Sequence, residues 1–199
     1  MKPVAFLLVL VLLAGSAFGF FSTVKVQSRV PGDEYVINSK LINDLFITEG
    51  VKLAVIHDQT SFFGRADIVE QLDKHLRRIQ KSIPALSQDA LNDFKAKNDH
   101  PYDLDKLFDL KVKYEFISRS EINQFFMGDD SRAWKSFYAK YPNSTGIIGV
   151  ARVGFNDNMS QAFAYLEKGR SDSNVETFFV FLAKENGVWS IKKKSKASE

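Results

Sequence analysis

The 199-residue chain contains no cysteine. This absence excludes disulfide bonds, thiol nucleophiles, zinc sites with sulfur ligands and a lipid anchor on an N-terminal cysteine. Small exported proteins often rely on disulfides, but a chain of this length buries a core large enough to fold without them. The missing cysteine therefore narrows the chemistry that the protein can perform without deciding where it resides.

Histidine is scarce as well, and His57, His75 and His100 are spread along the chain. No two of them have the spacing of paired metal ligands, and no His-Glu-x-x-His sequence occurs. The chain also lacks a Gly-x-Ser-x-Gly sequence, which carries the nucleophile of many hydrolases. We therefore predict no metal site, no cofactor and no catalytic residue.

Neither sign of charge dominates, because 27 basic residues stand against 24 acidic ones and give a formal net charge of +3. Much of the basic charge lies in residues 192–196, a lysine-rich run that predicts a solvated tail. Binding to nucleic acid requires a wider basic face with interleaved aromatic residues. Nucleic acid is therefore not a predicted partner.

Long apolar runs are absent except at the N-terminus, where residues 4–13 are uninterrupted apolar sequence after a basic start. The run is short for a membrane span, and Ala17-Phe18-Gly19 fits a signal-peptidase site. We predict a signal peptide over residues 1–19 and a secreted or periplasmic protein with no other membrane span; the alternative is an uncleaved signal anchor. Residues 20–199 then form a single domain.

Apolar residues recur at helical spacing in the first two thirds of the mature chain. Residues 20–30 come first and alternate loosely, as an edge strand or an extended arm does. Asp33 and Ser87 are the predicted caps of the first and third helices. Helices are predicted over residues 33–48, 65–83, 87–97, 118–126 and 131–141, and short strands over residues 52–57 and 111–117.

The last third of the chain has the pattern of four strands, over residues 145–155, 160–167, 175–184 and 188–194. The first and third of these are apolar on both faces, which is typical of central strands. Asn186-Gly187 predicts a type I′ turn between the last two. The predicted fold class is α+β, in which helices pack on a C-terminal four-stranded antiparallel meander.

Several segments taken together resemble a known family. They are Leu-Ala-Val-Ile at residues 53–56, Tyr-Pro-Asn-Ser at 141–144, Arg-Val-Gly-Phe-Asn at 152–156, Gln-Ala at 161–162 and Glu-Asn-Gly-Val-Trp at 185–189. The chain resembles a family of exported proteins of unassigned function, and the resemblance spans most of the mature chain. It implies export and an α+β fold, and it implies no activity. Residues 169–173 depart from the family, whose members often carry cysteine and glycine pairs between the last strands.

Arg152 is the one residue of the predicted meander that an apolar core does not explain. Its neighbours are apolar, and a buried guanidinium needs a partner. The partner is either a carboxylate of the protein, for example Glu34 or Asp58, or an anionic ligand that the guanidinium clamps. The rule that buried charges are paired favours the carboxylate. Gln161, in the next strand, either bonds to backbone or joins Arg152 in polar recognition.

The polar segment from His57 to Ser61 directly follows a predicted strand, a position where loops often carry function. His57 with Asp58 or Ser61 has the residue types of acid–base chemistry. Asp58 also suits a cap or an ion pair, and we favour that interpretation. The predicted binding residues are thus His57, Asp58, Arg152 and Gln161.

Three functions follow from these residues. The first is an exported α+β protein that binds a small ligand or a protein partner without catalysis. The second is a hydrolase-like enzyme that uses His57 and Asp58 with Arg152. The third is an interaction protein that uses the outer face of the sheet and shows a continuous apolar patch there.

Overall fold

The computed structural model describes residues 30–64, 66–126, 130–171 and 174–196. The predicted signal peptide, residues 1–19, lies outside the described residues, and so does nearly all of the segment 20–30. Within the described ranges, no helix has both the length and the apolar character that crossing a membrane requires.

The described residues form five helices and seven strands, with all five helices before the last five strands. The helices are α1 (Gly32–Leu45), α2 (Ala66–Ser82), α3 (Gln88–Lys97), α4 (Arg119–Phe126) and α5 (Asp130–Lys140). The strands are β1 (Leu53–His57), β2 (Lys113–Ile117), β3 (Ser144–Val150), β4 (Gly154–Phe155), β5 (Gln161–Ser171), β6 (Asn174–Glu185) and β7 (Val188–Lys196).

The α+β class is confirmed, but the sheet is larger than the predicted meander. All seven strands join one sheet. Six of them follow the order β2-β1-β3-β5-β6-β7, and the short strand β4 pairs with β5 alone. The antiparallel pairs β3–β5, β5–β6 and β6–β7 belong to the predicted meander. β1 extends the sheet beyond them, because it lies parallel to both β2 and β3. Parallel neighbours require long crossover connections, which the helix pairs α2–α3 and α4–α5 provide here.

The predicted strand over residues 145–155 is interrupted, and the prediction of one continuous strand is wrong. β3 ends at Val150 and β4 begins at Gly154. In between, the backbone N–H of Arg152 donates to the Asn98 side chain at 2.8 Å, and that of Val153 donates to Glu34 at 2.8 Å. Because these amides bond to side chains, they leave the strand ladder. Gly154 then contacts α3 so closely that a Cβ there would lie 2.2 Å from a backbone oxygen.

Helices cover both faces of the sheet because side chains alternate across each strand. One face packs on α1 around Ile37, Leu41, Ile56, Ile148 and Val180. The other face carries two separate helix pairs. The pair α2–α3 packs on β5 and β6, and the pair α4–α5 packs on β1 and β3. A gap remains on this face between the two pairs.

Of the local signals in the sequence, one helix cap and one turn are present as predicted, and the other helix cap is not. Ser87 caps α3 by accepting from the Asp89 N–H, as predicted. Asn186 and Gly187 both have positive φ in a two-residue turn between β6 and β7, as a type I′ turn requires. Asp33, in contrast, lies inside α1, which begins at Gly32. The lysines of residues 192–196 are exposed to solvent as predicted, but they belong to β7, which continues through Lys196, rather than to a tail.

A buried ion pair joins α1 to the interruption between β3 and β4. The guanidinium of Arg152 donates to both carboxylate oxygens of Glu34, each at 2.8 Å, in a bidentate geometry. Glu34 is 0% exposed and Arg152 is 6% exposed. The Tyr102 ring covers the guanidinium at 4.5 Å. Of the two carboxylates considered for Arg152, Glu34 is the one that it binds.

Glu34→Gln is expected to lower the free energy of unfolding by about 3–5 kcal/mol, because it leaves the Arg152 charge buried without a counter-charge. The control is Asp73→Asn, which breaks the exposed pair between Lys95 and Asp73 at 2.8 Å. That change is expected to cost less than about 1 kcal/mol. Urea unfolding at neutral pH measures the free energy of unfolding of both variants. Equal losses would show that the buried ion pair contributes no more to stability than the exposed one.

Candidate functional site

A pocket of about 120 Å³ opens on the face of the sheet that carries the two helix pairs. Strands β1, β3 and β5 contribute its floor, while the loop after β1 and the start of α4 contribute its sides. Most of the lining surface is apolar, although polar and apolar side chains contribute to it in similar number. The lining includes His57, Ser61, Phe63, Arg119, Ile122, Gly149, Tyr165 and Glu167.

Strand register brings the floor residues together. β5 pairs antiparallel with β3 so that Gly149 lies directly opposite Glu167. β1 pairs parallel with β3, with Ile56 opposite Ile148, and His57 and Gly149 are the next residues along the two strands. Residues 57, 149 and 167 therefore lie on three adjacent strands at one level of the sheet.

Ser61 is held at the same level by a return of the chain to the sheet. After β1 ends at His57, the backbone bulges outward and then rejoins β3, where the Ser61 N–H donates to the Val150 carbonyl at 2.8 Å. The bulge is tied down because Thr60 and Tyr102 exchange two hydrogen bonds, one of them through the Thr60 hydroxyl. The position of Ser61 is thus fixed by its backbone hydrogen bond to β3 and does not depend on an unrestrained loop.

Glu167 is the centre of the polar groups in the pocket. The Ser61 hydroxyl donates to one carboxylate oxygen at 2.8 Å, and the Tyr165 hydroxyl donates to the other at 2.9 Å. Burial raises the pKa of Glu167, while the two hydroxyls and the nearby His57 ring oppose that rise. Burial likewise raises the pKa of Tyr165 well above its usual value, so its hydroxyl remains a donor. Both hydrogen-bond donors to the carboxylate are therefore neutral.

Gly149 provides the space for this arrangement. A Cβ at this position would lie 2.6 Å from a carboxylate oxygen of Glu167 and 2.9 Å from the Ser61 hydroxyl oxygen. Real Cβ atoms do not approach other atoms so closely, so any larger residue would displace the Glu167 side chain. The absence of a side chain at residue 149 is thus a requirement of the site rather than of a turn.

His57 lies beside Glu167 with one ring nitrogen already engaged. Its Nδ1 is 2.8 Å from the carbonyl oxygen of Gln59. It also lies 3.2 Å from the backbone nitrogen of Gln59, so Nδ1 donates to the carbonyl in one tautomer and accepts from the amide N–H in the other.

The structure does not bring the four predicted binding residues together. His57 lines the pocket, but Arg152 is paired with Glu34 as described above. Asp58 is half-buried beside Asp103, and burial raises the pKa of its carboxyl. Gln161 bonds to backbone, accepting from the Ser87 N–H at 2.7 Å and donating to the Ala85 carbonyl at 2.9 Å.

Glu167, Tyr165 and Gly149 were missing from the predicted site. The available signal is a single carboxylate in a strand whose preceding residues are apolar, since Glu167 follows the buried run 162–166. Such a residue indicates a charge shielded from solvent, but the sequence does not predict which residues surround it in the folded chain. Ser61 was predicted only as a possible partner of His57.

Metal binding finds no support at this pocket. Across the residues that the structure describes, no three side chains of histidine, aspartate or glutamate are grouped so that they could hold a metal ion. Glu167 has hydroxyl groups rather than other carboxylates beside it. What the pocket offers a ligand is a carboxylate and an imidazole between apolar walls.

Comparisons with protein-family models, with curated proteins and with solved structures give no match to this chain. The resemblance to a family of exported proteins stays a prediction. Function is therefore inferred below from the geometry of the pocket.

Glu167→Gln is expected to stabilise the protein at neutral pH. Burial raises the pKa of the folded-state carboxyl, so the folded chain holds this proton more tightly than the unfolded chain does. The contribution of Glu167 to stability is present below its unfolded pKa and is lost as pH rises through the folded pKa. The melting temperature of Glu167→Gln should therefore exceed that of the wild type near pH 7, with a difference that shrinks toward pH 4.

Glu176→Gln, on the adjacent strand, is the control with the opposite sign. Hydrogen bonding from Lys168 lowers the pKa of Glu176, and Lys168 is itself buried, with its Nζ 2.7 Å from the carboxylate. This variant should be less stable than the wild type near pH 7, with a loss that shrinks as pH falls. A Glu167→Gln variant that also loses stability near pH 7 would contradict the raised pKa.

Proposed function

We propose that this is an exported protein that binds a small molecule, without catalysis, in the pocket built on β1, β3 and β5. The observation that carries the proposal is the Glu167 carboxylate, which lies in a concave and mainly apolar pocket with only neutral hydroxyls bound to it. A pocket with apolar walls and a few convergent polar groups is the usual form of a small-molecule site.

The energetics of the site support binding over a structural role. A carboxyl whose ionisation is opposed by burial destabilises the folded chain at neutral pH. Functional sites are where proteins keep groups of this kind. Glu34 shows the contrast, because its buried charge is fully matched by a guanidinium.

A protein partner has less support than a small ligand. The exposed large apolar residues of the described chain are Val36, Leu107, Met159 and Val188. They belong to four different elements, namely α1, the segment before β2, the turn before β5 and the start of β7. Single exposed apolar residues are normal on soluble proteins and do not mark an interface.

A hydrolase-like enzyme is the second candidate, in a form that differs from the predicted one. Arg152 is occupied by Glu34, and Asp58 does not line the pocket. The residues that favour an enzyme are Ser61, His57 and Glu167, because a hydroxyl, an imidazole and a carboxyl lie together there. We place it second because Ser61 donates to Glu167, with no hydrogen bond between Ser61 and His57 in the described structure.

Ligand binding is tested by thermal shift with the mature chain, residues 20–199, against a library of small metabolites. A ligand at 100 times its Kd adds about 2.7 kcal/mol to stability. Gly149→Ala is expected to abolish the shift, because its methyl group displaces Glu167 from the pocket. Gly32→Ala is the control, since a Cβ at residue 32 meets no atom within 4 Å. A shift that survives Gly149→Ala would place the binding site elsewhere.

Export is tested by expressing the full chain in a host with a general secretory pathway. We expect the protein in the exported fraction, with a mass that corresponds to a chain beginning at Phe20. Gly19→Arg is expected to block cleavage, because signal peptidase requires a small residue there. A full-length product in the cytoplasm would contradict the signal peptide.

A further inference from the structure

The ligand of the pocket must match the charge at its floor. Glu167 accepts hydrogen bonds from two hydroxyls, and its interactions in the described structure include no lysine or arginine. An anionic group placed beside it would meet a like charge in an environment that screens charge poorly. A cationic group would instead supply the counter-charge that no lysine or arginine bound to Glu167 provides.

The walls of the pocket also suit a cation on an apolar body. The Phe63 and Tyr165 rings meet edge to face with their centroids 5.1 Å apart, and Phe62 and Ile122 are among the other apolar residues of the lining. Aromatic faces attract ammonium and guanidinium groups, and the attraction is stronger where water is excluded. Apolar side chains accommodate the rest of such a ligand.

Two basic side chains, Arg119 and His57, also line the pocket, and each would repel a cationic ligand when charged. Arg119 belongs to the first turn of α4 and is exposed, so it lies toward the mouth. His57 lies on the floor but is bound to Gln59 through Nδ1. Glu167, between β3 and the Ser61 loop, is the charged group at the centre of the floor.

We propose that the pocket binds a small organic cation, a primary ammonium or amidinium group on a compact apolar body, whose charge pairs with the Glu167 carboxylate beside the Phe63 and Tyr165 rings. The inference rests on the proposed binding function and specifies its ligand class. The volume of about 120 Å³ sets the size of that body. Cavities of about 150 Å³ accept benzene, so one six-membered ring is near the upper limit.

Three probes of similar size and different charge test the proposal by isothermal titration and ligand-observed NMR at pH 7. Benzylamine is the cation, benzyl alcohol is its neutral counterpart and benzoate is the anion. Benzylamine is expected to bind at least about tenfold more tightly than either of the others, a margin typical of one paired charge in a partly buried site. Equal binding of benzylamine and benzyl alcohol, or tighter binding of benzoate, would overturn the proposal that the ligand is a cation.

Two variants test which carboxylate causes the preference for benzylamine. Glu167→Gln keeps the shape of the pocket and is expected to reduce benzylamine binding to the level of benzyl alcohol. Glu176→Gln removes a carboxylate from the adjacent strand outside the pocket and is expected to leave the preference intact. A preference for benzylamine that survives Glu167→Gln would overturn the assignment.

Failure of the cation proposal is distinguishable from failure of the binding function. If benzyl alcohol or benzoate binds best and Gly149→Ala abolishes that binding, the pocket binds small molecules but not cations. If none of the three probes binds and the metabolite library also gives no shift, both proposals are wrong.

Discussion

The bidentate ion pair between Glu34 and Arg152 is the interaction on which the arrangement of layers depends. It joins α1 on one face of the sheet to the interruption between β3 and β4. From that same interruption, the backbone of Arg152 exchanges two hydrogen bonds with the Asn98 side chain at the end of α3, which lies on the other face. One residue thus links helices on both faces, through its side chain to one and through its backbone to the other.

The carboxylates of Glu34, which is buried, and Glu167, which is half-buried, meet opposite conditions. Glu34 receives a guanidinium and the Val153 N–H, so its charge is matched. Glu167 receives two hydroxyl groups, and burial raises its pKa. Desolvation acts on both, but only Glu34 has a fixed cation to offset it. The paired charge of Glu34 is compatible with a stable fold, whereas the charge of Glu167 lowers the stability of the folded chain at neutral pH. This difference separates Glu34, which has a structural role, from Glu167, the candidate ligand-binding residue.

Features set by neighbouring residues were predictable, and features set by distant ones were not. The Asn186-Gly187 turn and the Ser87 cap follow from a few adjacent residues, and both are present. The interruption near Arg152 depends on Glu34 and Asn98, which lie 118 and 54 residues away. The candidate site depends on Ser61 reaching Glu167 across 106 residues. No periodicity or spacing contains that information, because the parallel placement of β1 beside β3 creates it.

The interruption between β3 and β4 also has a consequence for dynamics. A break in a strand usually frees backbone amides, and such a point can act as a hinge. Here the N–H groups of Arg152 and Val153 are bonded to buried side chains at 2.8 Å. We expect both amides to exchange with solvent deuterium as slowly as those inside the ladders. The break is therefore a rigid joint, and the Ser61 loop that pairs with Ala151 beside it shares that rigidity.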